Sequence, residues 1–135
     1  MSSFDMDSID TRGANNKAAV LILTHPLTRK PLLTDDNQHV TISLLGADSD
    51  VSEKMQRGTQ RRRLKNLNVK MTPEELEEES LSLLVALTVE WQNVGKNGVE
   101  LECTPDNVRM IYTERPWVRK QADAFVGDLS NYLGN

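Results

Sequence analysis

A change of hydrophobic period near Asp50 limits how this chain can fold more than any other feature. Before it, "AAVLILT" (18–24) and "HVTISLLG" (39–46) are rich in β-branched residues. Val40, Ile42 and Leu44 alternate with Thr41 and Ser43, the two-residue repeat of a half-buried strand. Beyond it, apolar residues recur at three- and four-residue spacing, as on one side of a helix. Between the strands Pro26 and Pro31 mark turns or an edge strand, and Asp35-Asp36-Asn37 marks a second turn. A two- or three-stranded antiparallel unit follows, and a sheet that small needs helices over one face. The expected fold is α+β, an N-terminal antiparallel β meander or hairpin packed on a C-terminal set of about four helices.

The helices are placed by their ends. Residues 50–67 lack proline and are dominated by long, straight side chains, with Val51, Met55, Leu64 and Leu67 loosely on one side and Gly58 as a soft point. For the helix over 73–93, Thr72 caps, Pro73 takes the first helical position and Glu75 completes a capping box. Its expected buried stripe is Leu76, Leu83, Leu84, Leu87 and Trp91. Thr104-Pro105 repeats the cap-then-proline signal and opens a helix over 105–114, with Val108, Ile111 and Tyr112 on one side. Pro116 then pushes Arg115 out of the helical region, so one helix ends near Glu114 and another starts at Pro116. This last helix, 116–133, carries Val118, Ala122, Phe125, Val126, Leu129 and Leu133 at helical spacing. Trp117 sits at the corner, either wedging the two helices in the core or staying partly open to a partner.

Residues 1–17 are polar, acidic and without period, and are expected to form a disordered tail ahead of one domain over 18–135. Hydrophobic residues make up 38% of the 135, which predicts a thin core completed by a partner or by self-association. No apolar run is long enough to cross a bilayer and the N-terminal residues do not resemble a secretion signal, so neither membrane insertion nor export is expected.

The chemistry-bearing residues are sparse. Cys103 is the only cysteine, which excludes an intrachain disulfide and a cysteine-based zinc site. His25 and His39 flank a strand–turn region without ligand spacing, so no metal site is expected. The run Glu74, Glu75, Glu77, Glu78 and Glu79 occupies a helix start, where negative charge meets the positive end of the macrodipole. No phosphate loop or nucleophile–base arrangement is present, and no enzyme activity or cofactor is expected. Lys54, Arg57, Arg61, Arg62, Arg63 and Lys65 form a basic run that could meet phosphates. It lacks interleaved aromatics, the acidic turn follows closely, and the net charge is -4, so pairing between these two helix ends, or with an acidic protein partner, is favoured over nucleic acid.

The second half, "LSLLVALTVEWQNV" followed by "GVELECTPDNVRMIYTERPWVRKQADAFVGDLSNYL", resembles the tail assembly chaperones of long-tailed, lambda-like bacteriophages. In that family a helix ending in Trp, a Thr-Pro helix start and a final Pro-Trp-Val/Ile-Arg-x-Gln helix recur. Thr104-Pro105-Asp106-Asn107 and Pro116-Trp117-Val118-Arg119 are the more specific matches, and the resemblance spans Leu81 to Leu133. It implies a non-enzymatic protein of the host cell cytoplasm, absent from the mature virion, that binds the tape measure protein and promotes tail tube assembly. It also implies the short form of a pair made by ribosomal frameshifting, with the tail tube protein engaged through the extended form. A slippery heptamer over Leu133-Gly134-Asn135 is the corresponding expectation for the gene. On this reading Tyr112, Trp117 and Val118 are expected as apolar anchors for the partner, Arg57, Arg61, Arg62 and Arg119 as its polar rim, and the chain as a homo-oligomer. The alternative is a small basic-helix nucleic-acid-binding phage regulator.

Overall fold

The computed structural model describes residues 3–65 and 71–133. The chain is mixed α and β, with small antiparallel sheets. In chain order it forms α1 (Thr11–Asn15), β1 (Ala19–Ile22), β2 (Thr41–Leu44), α2 (Asp50–Lys65), α3 (Pro73–Leu87), β3 (Thr88–Gln92), β4 (Gly95–Lys96), β5 (Val99–Glu100), α4 (Pro105–Glu114) and α5 (Pro116–Val126). Single 3-10 turns cover Met6–Ser8 and Leu129–Asn131.

β1 and β2 pair antiparallel with Leu21 opposite Ile42 and Ala19 opposite Leu44. The alternation seen in the sequence is real: Ile42 and Leu44 are fully buried while Thr41 and Ser43 are half-exposed. The connection folds back twice, with isolated bridges Thr24 to Pro31 and Leu33 to His39. Arg29 and Asn37 take positive φ at the two bends.

The third strand is a departure from expectation. The helix predicted over 73–93 stops at Leu87, and Thr88–Gln92 pairs with β2 instead, giving the order β1-β2-β3 with Trp91 opposite Ile42. Thr88, Val89 and Trp91 favour strand, and β2 offers them a free edge. The Thr88 hydroxyl closes the helix end by hydrogen bonding to the Leu84 carbonyl at 2.8 Å. Trp91 is buried as expected, but from the sheet, its indole N–H donating to the Leu101 carbonyl at 2.8 Å. Strands and helices are thus interleaved along the chain. Asn97-Gly98, both at positive φ, then turns the short β4–β5 hairpin.

The corner lies where the proline rule puts it: α4 ends at Glu114, Arg115 is non-helical, and Pro116 opens α5. Thr104 caps α4, its hydroxyl accepting the Asn107 N–H at 3.2 Å. Val118, Ala122 and Val126 are buried, and α5 packs against β2. The Gln121 side-chain amide treats Thr24 as a neighbouring strand would, accepting its N–H at 3.0 Å and donating to its carbonyl at 2.8 Å. Those bonds close the outer edge of the sheet at Thr24.

Two further boundaries are corrected. The last helix, expected to reach residue 133, ends at Val126 because Asp128 caps a separate turn, its carboxylate accepting the Ser130 N–H at 3.0 Å. Tyr132 then returns to the core, donating to the Leu44 carbonyl at 3.1 Å and meeting the Phe125 ring edge-on at 5.8 Å. The tail expected over 1–17 contains α1, whose Asn15 is fully buried. Asn15 accepts the Asp48 N–H through its side chain at 3.2 Å and the Gly46 N–H through its backbone at 3.0 Å. A Cβ on Gly46 would lie 1.7 Å from the Asn15 side-chain oxygen, so only glycine permits this lock. The expected end of the first long helix, at residues 66–67, lies outside the described residues, as do 1–2 and 134–135.

Candidate functional site

The expected anchors divide. Tyr112 is 1% exposed, its hydroxyl 2.7 Å from the Thr88 hydroxyl, and burial pushes its pKa up. Val118 is 4% exposed. Both belong to the core, which corrects their assignment as partner anchors: the corner that the proline creates turns them inward. Trp117 is half-buried and packs on that core. Arg119 is also drawn in. Its guanidinium meets the Glu77 carboxylate at 2.5 Å and the Asp123 carboxylate at 3.7 Å, which fastens α5 to the start of α3. Burial raises the Asp123 pKa while Arg119 opposes that shift.

The other expected rim residues lie elsewhere, on α2. Arg57 is paired with Glu53, which also takes Arg12 from α1; the Arg57 hydrogen bond is the main cause holding the Glu53 carboxyl below its ordinary range. Arg61 is exposed, and Arg62 donates to the Thr59 hydroxyl at 3.3 Å. The structure therefore separates the seven expected residues into an inward-facing corner and an outward-facing basic helix.

Beside α2 lies a surface where the basic and acidic runs of the sequence meet. α2 packs against α3, yet its only buried residue among those described is Ser52. Two stripes run along α3. Leu81, Leu84 and Leu87 enter the core, whereas Leu76 and Leu83, seven residues apart, line the α2 side, Leu83 half-buried and packed on the core as well. Leu76 was expected in the buried stripe; it is 48% exposed because it stands one turn beyond where the core ends. Leu64, placed on the apolar side of α2, is 67% exposed.

Between the two helices opens a cleft of about 900 Å³. Its apolar surface comes from Met55, Met71, Leu76 and Leu83. Arg62 and Arg63 line it from α2, and Glu74, Glu75, Glu78 and Glu79 line it from α3. Arg63 spans the gap to Glu79 at 3.3 Å, with its Nε 2.8 Å from the Met71 sulfur. Glu78 is held from behind by Arg109 of α4 at 2.5 Å, and that same guanidinium donates to the Ser82 hydroxyl at 2.9 Å. Glu74 and Glu75 have no ion pair among the described residues. The signal was present in the sequence as opposed charge runs, but the spacing of Leu76 and Leu83 could not say which stripe of α3 would be covered.

The titratable groups elsewhere have local duties. His25 Nδ1 accepts the Leu27 N–H at 3.1 Å and helps close its turn. Lys96 meets Glu114 at 2.6 Å, tying the β4–β5 hairpin to the end of α4 and holding the Glu114 carboxyl low. Cys103 is half-buried, and burial raises its thiol pKa. Among the described residues no group of three potential metal ligands comes together, and no helix is long and apolar enough to cross a membrane. Comparison with protein families, curated proteins and solved structures gave no match to this chain.

Proposed function

We propose that the protein is an assembly chaperone that covers an apolar helical segment of a client, and that the client is the tape measure protein of a long-tailed bacteriophage. The observation that carries the chaperone reading is the cleft between α2 and α3, whose methionine and leucine surface is only half-covered among the described residues, beside a folded core. Methionine side chains adapt to varied apolar surfaces, and an open helix-lined groove is a common way to receive a helix. The phage assignment rests on the resemblance over Leu81–Leu133.

On the same resemblance, the protein works in the host cytoplasm as the short member of a frameshifted pair and leaves before the virion matures. The tail tube protein is then engaged by the extended member, and self-association is expected. The mixed charge of the cleft favours this reading over the nucleic-acid regulator, because glutamates would stand beside any phosphate that approached Arg62 and Arg63.

The test is binding of the purified chain to fragments of a tape measure protein, measured from low to moderate salt. Binding to an apolar helical fragment that persists at moderate salt is the expected result. Binding only to nucleic acid, lost as salt rises, would replace this reading with the regulator.

A further inference from the structure

We propose that the occupant of the α2–α3 cleft is an amphipathic client helix with carboxylates along one flank and basic side chains along the other. This rests on the client-helix reading above and specifies what that helix must look like. The argument begins with the walls. α2 presents Arg62 and Arg63, with Arg61 exposed on the same helix; α3 presents Glu74, Glu75 and Glu78. Between them Met55, Met71, Leu76 and Leu83 form the apolar surface. A helix resting on that surface has its left and right flanks against walls of opposite sign. Its carboxylates belong beside α2 and its ammonium or guanidinium groups beside α3.

Two consequences follow from this geometry. A uniformly acidic helix would meet the glutamates, and a uniformly basic one would meet the arginines, so either places half its charge against its own sign. Direction is fixed as well. Turning a helix end for end while its apolar side stays down exchanges its flanks, so a helix with one acidic and one basic flank fits in one direction only. The cleft is lined over residues 55–63 of α2 and 74–83 of α3, which matches contact with about three turns of an occupant helix.

The experiment uses the full chain and four labelled synthetic helices of about 15 residues. Three share one Leu/Met stripe and carry mixed, all-Glu or all-Lys flanks; the fourth has the mixed composition with its stripe scrambled. Anisotropy gives affinity, and circular dichroism follows both peptide helicity and the fold of each protein variant. At low salt the mixed-flank peptide is expected to bind at least tenfold tighter than either single-sign peptide, with the scrambled one not binding. Leu76→Asp, at a position that is already half-exposed, should weaken it a further tenfold or more with the protein fold intact. Arg61→Glu with Arg62→Glu should shift the preference to the all-Lys peptide.

An all-Glu peptide that binds best would overturn the proposal, because the basic helix alone would then be the site. Equal affinity for all three striped peptides would remove the flank assignment and leave the client-helix reading standing. So would a tape measure fragment that binds wild type and Leu76→Asp alike, since the client would then sit on another surface. Failure of every peptide and every tape measure fragment would remove both readings. Concentration-dependent dimers abolished by Leu76→Asp, without peptide binding, would assign the cleft to a second copy and overturn the proposal.

Discussion

The two helix pairs, α4–α5 and α2–α3, are built on opposite terms. In the first, a proline sets the angle and Val108, Ile111, Tyr112, Val118, Ala122 and Val126 fill the interior. In the second, α2 fully buries no apolar side chain: Val51 packs on the core from its first turn, and its other links include exposed ion pairs and the half-covered residues of the cleft. Exposed ion pairs contribute little, about 0–1 kcal/mol each, so α2 is held much more weakly than α5. In the most recognisable stretch of the sequence, Pro116, Val118 and Arg119 therefore hold the corner, with Trp117 half-buried upon it. The charged, repetitive stretch with little motif content faces the solvent and carries the proposed binding chemistry.

Removing large side chains from each pair tests this division most directly. Tyr112→Ala should cost about 3–5 kcal/mol in urea unfolding, since it empties the core beneath the corner. Leu76→Ala should cost under about 1 kcal/mol, because nearly half of that side chain is already in water. Similar losses at the two positions would erase the distinction.

Alkali offers a second large contrast. Burial raises the Tyr132 pKa from near 10 to about 12 and raises that of Tyr112 too, so the folded state favours the neutral phenols. That contribution is complete below pH 10, where the unfolded chain is also neutral, and is lost as pH rises from about 10 through about 12. Thermal unfolding should fall across this window, and Tyr132→Phe should flatten part of the fall. An unchanged alkaline profile in Tyr132→Phe would mean that this phenol does not govern the loss.

Trp117→Ala comes next, with an expected cost of about 1–3 kcal/mol from a half-buried ring. Client affinity of the folded fraction should be unchanged. A variant of normal stability and weakened affinity would return Trp117 to the partner surface. Gln121→Ala should cost about 1–2 kcal/mol by leaving the Thr24 N–H and carbonyl without their amide partner. Hydrogen exchange at Thr24 should accelerate selectively, and protection at the wild-type level would show that the edge is closed by something else.

The smallest effect has the opposite sign. Gly58 lies inside α2, and a Cβ there would touch nothing within 4 Å. Gly58→Ala should stabilise by about 0.5–1 kcal/mol through helix propensity alone. A destabilising result would place an unseen contact against the middle of α2.

Much of the local architecture was legible from the sequence because it depends on neighbours a few residues apart. Thr72 caps α3 by accepting the Glu75 N–H at 3.2 Å, Thr104 does the same for α4, and Pro116 divides two helices for reasons of backbone sterics. Asn97-Gly98 is an equally local hairpin signal, in the gap between two predicted helices. Of the two strands before Asp50, the second followed from alternation, which records one wet and one dry face, and the first from its β-branched content.

What the sequence could not settle were partnerships across long stretches of chain. Thr88–Gln92 continues the apolar pattern of α3, and its strand-favouring residues prevail because β2, far earlier in sequence, has an edge to fill. Asn15 lies in a polar segment and is buried only because the Gly46 backbone comes within reach. Tyr112 and Val118 became interior, and Leu76 and Leu83 became the side of a cleft, when the corner and α2 took their places around the sheet. The sequence determined where helices start and stop, since capping and proline sterics act within one turn; tertiary packing alone decided which of their faces met water.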